Sequence, residues 1–191
     1  AGVATRLEAL LAWSEVLRGV DLATVQAVFP IAPPRRDFAW SWRLAESLFR
    51  LQSQLTEAGL GFADVAPRAG PEFPEGERWR QLAQLEQLQT EALAARERVE
   101  PHAARRAFAA NPVLPPEIER VVLLASPDPL PLLVGMLDRW AGRVPVDVVV
   151  FGPPDETDLF DAVGRPVPDV WAQRVIALPD FERRVHVVSD P

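Results

Sequence analysis

The apolar residues of this chain change their spacing at one place, the proline-rich segment 112–117. Before that segment they recur every three or four positions, as in helices that bury one face. After it, short continuous apolar runs alternate with a helical pattern, which is typical of buried parallel strands joined by helices. The sequence therefore predicts an α/β protein: an N-terminal all-helical subdomain over 1–116, and a partial parallel three-stranded, Rossmann-like α/β unit over 117–191.

In the first part, the spacing predicts helices over 3–18, 21–29, 37–58, 77–98 and 101–110. Asp37 stands where an N-cap belongs, because its carboxylate can accept hydrogen bonds from free backbone N–H groups. The segment 60–76 is rich in Gly and Pro and is predicted to be a loop with one short turn.

In the second part, the pattern predicts strands over 121–125, 146–151 and 185–188, a helix over 129–141, and short helical pieces over 155–163 and 168–175. The run 121–125 is continuously apolar, so we expect this strand to be buried on both faces. The triplet Gly164-Arg165-Pro166 predicts a turn between the two short helical pieces.

The composition excludes several kinds of chemistry. The chain has no Cys, and every basic residue apart from His102 and His186 is Arg. Without Lys there is no P-loop lysine and no Schiff base, and without Cys there is no thiolate metal site and no cysteine nucleophile. Two His are too few for a three-His zinc site. The net charge of −7 argues against a module dedicated to nucleic acid, since such modules are usually basic.

Three acidic positions follow the predicted strands, where open parallel sheets hold their ligands: Asp128, Asp155 with Glu156, and Asp190. Together they are candidates for a Mg²⁺ site, because this cation takes oxygen ligands. The favoured interpretation is that Asp128 and Asp155 are N-caps of the helices that follow them. The residues 155–161 form an acidic run, which we expect to be a solvated helix start.

Arginine pairs are the candidates for phosphate contacts, because the guanidinium group can bind two phosphate oxygens at once. The pairs in the helical part that we single out are Arg35 with Arg36, Arg78 with Arg80, and Arg105 with Arg106. The favoured alternative is that the Arg side chains balance Glu residues on solvated helix faces. His102 is predicted to be exposed, and His186 to be buried in the third strand. Trp79 and Trp140 lie on apolar stripes and are predicted core residues.

Several segments resemble a known bacterial family. They are the runs Val121-Val-Leu-Leu-Ala-Ser-Pro-Asp-Pro-Leu-Pro-Leu-Leu133 and Phe160-Asp-Ala-Val-Gly-Arg-Pro-Val-Pro-Asp-Val-Trp171, with Phe62-Ala-Asp-Val-Ala66, Glu77-Arg-Trp79 and 103–107 in the helical part. These segments are similar to the AddB-like, "inactivated superfamily I helicase" proteins of the helicase–nuclease family. The resemblance implies that the chain is a fragment covering a helical subdomain and part of a RecA-like motor domain.

The resemblance also implies a helicase fold without ATPase chemistry. An active relative would carry an Asp-Glu pair after the strand 121–125 to hold Mg²⁺ and the attacking water. This chain has Ser126-Pro127 there, with Asp128 displaced into the following turn. No catalytic residue of the family therefore has a counterpart in this chain, and we expect no enzyme activity and no cofactor.

The function that the resemblance implies is that of a scaffold in DNA double-strand-break repair or recombination. Such a scaffold would contact DNA, or dock a helicase or nuclease partner subunit or domain. One alternative is an acidic helical protein-interaction module without DNA binding, and another is a small Mg²⁺-dependent α/β phosphotransferase or hydrolase that uses Asp128, Asp155 and Asp190. No apolar run approaches the roughly 20 residues that cross a bilayer, so we expect no membrane contact and a cytoplasmic location.

Overall fold

A computed structural model describes residues 1–152 and 156–174 of the chain. The fold is a mixture of helices and short sheets. The helices are α1 (Arg6–Gly19), α2 (Phe38–Glu57), α3 (Phe62–Ala69), α4 (Gly76–Ala94), α5 (Pro101–Ala110), α6 (Pro131–Ala141) and α7 (Pro168–Ala172), with 3-10 turns at Leu22–Val25 and Thr157–Leu159. The strands are β1 (Gly2–Val3), β2 (Arg98–Val99), β3 (Val121–Leu124) and β4 (Val146–Val149).

The strands form two parallel two-stranded sheets. β1 pairs with β2, with Val3 opposite Val99. β3 pairs with β4: the Val121 N–H donates to the Pro145 carbonyl (3.0 Å), and the Ala125 N–H donates to the Val149 carbonyl (2.7 Å). The predicted α/β class is thus confirmed with two of the three predicted strands. The third, over 185–188, lies outside the described residues.

The chain divides into two compact units. The helical unit comprises Ala1–Val121 and Leu130–Val146, and the sheet unit comprises Val122–Pro129 with the residues from Asp147 onward. Helix α6 belongs to the helical unit, where it packs against α5 and α2. The predicted boundary between residues 116 and 117 stays a prediction.

The core of the helical unit lies between α1, α2 and α4. Its fully buried side chains include Trp13, Leu17, Ala45, Phe62 and Leu85. Burying a large apolar side chain contributes about 1.5–3 kcal/mol, so these few residues supply much of the free energy that holds the three helices together.

Side-chain oxygens cap the N-termini of α1 and α2 by accepting hydrogen bonds from first-turn backbone N–H groups. Asp37 accepts a hydrogen bond from the Trp40 N–H (2.8 Å), so its predicted N-cap role is confirmed. At the start of α1, Thr5 and Glu8 form a capping box: Thr5 Oγ1 accepts from the Glu8 N–H (3.3 Å), and the Thr5 N–H donates to Glu8 Oε2 (2.7 Å). Such a cap satisfies donors that the first helical turn leaves free.

The prediction of a loop over 60–76 is wrong, because the segment contains helix α3. The Gly61 N–H donates to Asp64 Oδ2 (2.7 Å), which ties the first turn together, and Phe62 is fully buried in the core. Pro67 lies in the second turn, where its ring removes a single backbone donor. Tertiary burial of Phe62 and the local Asp64 bond therefore outweigh the helix-breaking composition.

Two helices are shorter than predicted. The pattern over 77–98 predicts one helix, but α4 ends at Ala94 and the chain turns at Glu97, whose φ is 57°, into strand β2. The segment 21–29 forms only a 3-10 turn at Leu22–Val25, capped by Asp21.

The predicted burial of the strand 121–125 on both faces is wrong. Val122 is 49% exposed and Leu124 is 63% exposed, whereas Val121 and Leu123 are half-buried. The strand thus buries one face only. The turn predicted at Gly164 is confirmed: Gly164 has φ of 82°, and a Cβ there would lie 3.0 Å from Val148 Cγ1.

Among the described residues, the structure has no helix that combines the length and the apolar character needed to cross a membrane.

Candidate functional site

Asp128 is not the N-cap of the helix that follows, so that prediction is wrong. Helix α6 begins at Pro131, and its N-cap position is Leu130, which has extended backbone angles. Prolines at 129 and 131 disfavour helical backbone at the residue before each of them, so the helix starts two residues later than the sequence pattern predicts. Asp128 instead lies in the loop with its side chain 90% exposed, and Arg165 Nε is 3.5 Å from Asp128 Oδ1.

The other two candidate magnesium ligands, Asp155 and Asp190, lie outside the described residues. Glu156, the neighbour of Asp155, forms an ion pair with Arg174. In the described part of the chain, no three His, Asp or Glu side chains come together as a metal site would require. The magnesium site stays a prediction.

Arg36 is engaged inside the helical unit. Its Nη2 atom donates to the carbonyl oxygens of Leu17 and Val20 (2.7 Å to Val20), at the end of α1. These carbonyls have no partners within the helix, so the guanidinium satisfies the helix terminus and its charge complements the helix dipole. The neighbouring Arg35 is exposed.

Arg78 and Arg80 form ion pairs at the start of α4. Arg78 pairs with Glu75 (2.5 Å) and also donates from Nε to the Ala27 carbonyl (3.0 Å), and Arg80 pairs with Glu77 (2.8 Å). Pairs of this kind are what the favoured alternative predicts, and the phosphate contacts stay a prediction. Because both pairs are about half exposed, each contributes at most about 1 kcal/mol.

Arg106 is engaged between helices. Its Nη1 atom donates to Thr56 Oγ1 (3.2 Å) and to the Leu60 carbonyl (3.3 Å), which joins α5 to the end of α2. Arg105 is exposed and, like Arg35, makes no ion pair with the residues that the structure describes. Four of the six candidate phosphate contacts therefore hold the helical unit itself together.

A chain of hydrogen-bonded polar side chains, which the sequence pattern does not predict, crosses the helical unit: Trp13 and Gln52 are buried, and Glu86 is half-buried. Trp13 Nε1 donates to Gln52 Oε1 (2.8 Å), and Gln52 Nε2 donates to Glu86 Oε1 (2.9 Å). Glu86 Oε2 then accepts from the backbone N–H of Phe62 (3.1 Å). Four helices, α1 to α4, are thus joined through one Gln and one Glu. The only sequence signal for this polar chain is a Gln among apolar residues at a buried position of α2.

Glu100 and His102, at the start of α5, are 2% and 4% exposed. Glu100 Oε2 accepts from the Ala103 N–H (2.6 Å) and caps the helix, and burial raises the pKa of its carboxyl group. His102 lies against Phe49, with ring centroids 4.6 Å apart. Burial, with the nearby charges of Arg105 and Arg106, lowers its pKa to about 4. The prediction that His102 is exposed is wrong, since its ring fills the space between α5 and α2.

Glu86, Glu100 and Arg106 also line a cavity of about 380 Å³ between α4 and α5. A second, more apolar groove of about 750 Å³ runs along α3 and α4 and is lined by Phe62, Phe73 and Trp79. In the α4–α5 cavity, the hydrogen bonds of Glu86 and Arg106 join helix to helix. The arrangement therefore supports a role in fixing helix positions.

No family model matches the chain, and neither the curated proteins nor the solved structures include a match.

Proposed function

We propose that the chain is a non-catalytic, helicase-like segment of a bacterial helicase–nuclease of DNA double-strand-break repair and recombination. Its work in this proposal is scaffolding: it docks a partner subunit or domain, and it neither hydrolyses nucleotide nor provides the main DNA contact.

The observation that carries the proposal is the environment of Asp128. A motor domain that hydrolyses ATP needs a carboxylate after this strand to hold Mg²⁺ and position water. Here the carboxylate is in the exposed loop beside Arg165, and Arg165 Nη2 also donates to the Pro129 carbonyl (2.7 Å). The Arg165 guanidinium thus lies beside this carboxylate and binds the loop carbonyl of Pro129, which supports a structural role for the pair.

The segments that carry the family resemblance form packing contacts inside their units. Phe62 and Trp79 meet edge to face, with ring centroids 5.9 Å apart. Phe160 and Trp171 do the same at 6.1 Å, and Trp171 Nε1 donates to the Leu159 carbonyl (3.0 Å). This supports the interpretation that the resembling residues maintain a shared fold, since aromatic pairs of this kind stabilise a core.

The positions of the arginines favour docking over DNA contact. The helical unit holds 16 of the 20 Arg and 17 of the 27 acidic residues, so it is close to neutral. Four of the six Arg singled out above are already engaged in intramolecular hydrogen bonds or ion pairs. Phosphate binding needs several cations that are free to replace counterions, and the described helical unit offers few.

Phosphate release from Mg²⁺-ATP, with and without single-stranded DNA, tests the proposal. We expect no hydrolysis above the buffer rate, and no change in the melting temperature when Mg²⁺-ATP is added. Hydrolysis that is lost in Asp128→Asn, but kept in the matched surface variant Asp158→Asn, would overturn the proposal in favour of the Mg²⁺-dependent enzyme.

A further inference from the structure

A cavity between the ends of α5 and α6 is lined by basic and amide side chains and by no Asp or Glu of the described chain. It has a volume of about 540 Å³ and lies within the helical unit. Its polar side chains are Asn111, at the end of α5, and Arg139 and Arg143, at the end of α6. The rest of the lining is Ala110, Pro112, Val113 and Leu114. We call this space the arginine cavity.

Most hydrogen-bond donors of the arginine cavity are free. The guanidinium of Arg143 and the carboxamide of Asn111 have no hydrogen-bond or ion-pair partner among the residues that the structure describes. Arg139 donates from Nη1 to the Gly135 carbonyl of its own helix, and its Nε and Nη2 atoms have no partner in the same part of the chain. The two positive charges at the arginine cavity therefore carry no ion pair with a described residue.

The chemistry of the lining selects the ligand. A guanidinium can donate to two phosphate oxygens at once, and the Asn111 amide supplies a further donor. Two positive charges match a terminal phosphate, which carries about −1.5 to −2 at neutral pH, better than they match a carboxylate or a sulfate ester of single charge. Val113 is 70% exposed, so the wall beside the arginines offers an apolar surface to the organic part of such a ligand.

We propose that the arginine cavity binds the terminal phosphate of a small organic phosphate monoester. The guanidiniums of Arg139 and Arg143 hold the phosphate oxygens together with the Asn111 amide, and the organic group lies against Val113. The inference goes beyond the proposed function, since docking a partner needs no ligand site. Two cations are too few for a DNA contact, which neutralises many phosphodiesters of single charge, but they match one terminal phosphate.

The probes are phenyl phosphate, phenyl sulfate and inorganic phosphate, titrated into the chain by calorimetry at about pH 8, where a phosphate monoester carries both negative charges. Phenyl sulfate has the same shape as phenyl phosphate and one charge less. We expect phenyl phosphate to bind at least about tenfold more tightly than phenyl sulfate, because only the dianion matches both arginines. It should also bind at least about fourfold more tightly than inorganic phosphate, because the phenyl group buries apolar surface.

Arg139→Gln and Arg143→Gln should each weaken the binding of phenyl phosphate by at least about tenfold, since each removes a charge-assisted pair. The matched control is Arg35→Gln, which removes an exposed arginine of the same unit outside the cavity and should leave the affinity unchanged. Arg143→Gln breaks no contact of the described chain, so it should keep the wild-type melting temperature. Val113→Ser should remove the preference for phenyl phosphate over inorganic phosphate.

The absence of binding heat with phenyl phosphate would overturn the proposal, as would equal affinity for phenyl phosphate and phenyl sulfate. Affinity unchanged in both Arg139→Gln and Arg143→Gln would place the ligand elsewhere, and equal affinity for phenyl phosphate and inorganic phosphate would refute the monoester as ligand. The ATP test is independent, because the cation of Mg²⁺-ATP already binds the terminal phosphate oxygens. Hydrolysis that depends on Asp128 would refute the proposed function and leave the arginine cavity to be judged by phosphate binding.

Discussion

At the scale of single residues, hydrogen bonds among Trp13, Gln52 and Glu86 link the helices of the helical unit. Glu86 is the centre of this arrangement, because one carboxylate oxygen accepts from Gln52 and the other accepts from the Phe62 backbone N–H. Hydrogen bonds to a charged group contribute about 1.5–3 kcal/mol, and a buried donor left without a partner is unfavourable by about 1–3 kcal/mol.

Glu86→Ala should therefore lower the free energy of unfolding by about 2–4 kcal/mol, since it leaves Gln52 and the Phe62 N–H without their acceptor. Urea unfolding followed by circular dichroism measures the loss. Glu91→Ala, on the same helix, is the matched control: Glu91 is exposed, and its side chain accepts a hydrogen bond from Gln87 Nε2 (3.0 Å), which is also exposed. A similar loss in both variants would contradict the role assigned to Glu86.

The lowered pKa of His102 should make the stability of the folded chain depend on pH. Its pKa falls from the usual 6.5 to about 4 because the ring is buried and because Arg105 and Arg106 are near. Glu86, on the facing α4, acts in the opposite direction. Between these two pH values the unfolded chain binds more protons than the folded one, so stability is full above pH 6.5 and falls as the pH drops towards 4. Glu100, whose pKa is raised by burial, has the opposite sign: its unfavourable contribution grows as the pH rises.

His102→Gln should flatten the fall in stability between about pH 6.5 and about pH 4.5, whatever its effect at neutral pH, because it removes the titrating group. The measurement is the urea midpoint of wild type and variant across that range. An identical pH slope in both proteins would contradict the lowered pKa of His102, because it would show that the pKa is the same in the folded and the unfolded chain.

At the scale of elements, local chemistry could be predicted and tertiary burial could not. Asp37 starts α2 as expected, because an N-cap depends only on the few residues around it. Helix α3 was not predicted, since its start depends on the burial of Phe62 among α1 and α4. The exposed face of β3 was not predicted for the same reason: an apolar run does not say which side of the strand another element covers.

Gly61, just before α3, lies close to side chains of α4 and α5, so a substitution there measures how closely the three helices pack. Its φ is −111°, so no backbone strain arises on substitution. A Cβ there would lie 3.1 Å from Arg106 Nη2 and 3.4 Å from Glu86 Oε2. Gly61→Ala should therefore destabilise by about 1–2 kcal/mol through displacement of these two side chains, within the usual range for overpacking.

Gly76→Ala is the matched control for Gly61→Ala. A Cβ at Gly76 meets nothing within 4 Å. The substitution should stabilise the chain by about 0.4–1 kcal/mol, because it lowers the entropy of the unfolded state. Thermal melts of the two variants give the comparison. Stabilisation by both substitutions would contradict the close approach at Gly61.

At the scale of the whole molecule, the two units differ in charge. The sequence has a net charge of −7, but the helical unit, with 16 Arg and 17 acidic residues, is close to neutral. The described residues of the sheet unit include six acidic residues and two Arg, so this unit is acidic. The candidate DNA contacts could be identified from the sequence as arginine pairs. The sequence does not predict that these arginines donate hydrogen bonds to backbone carbonyls or form ion pairs with Glu75 and Glu77. These contacts depend on how the helices pack.

The proposed docking role requires that this chain does not bind DNA by itself. The anisotropy of labelled single-stranded, duplex and forked DNA at about 50 mM and about 200 mM salt tests this requirement, because phosphate-driven binding falls steeply over that range. We expect no binding to any of the three at either salt. Binding at the lower salt that is lost at the higher salt, and that disappears in Arg35→Ala with Arg105→Ala, would contradict it and make the exposed arginines the DNA contact.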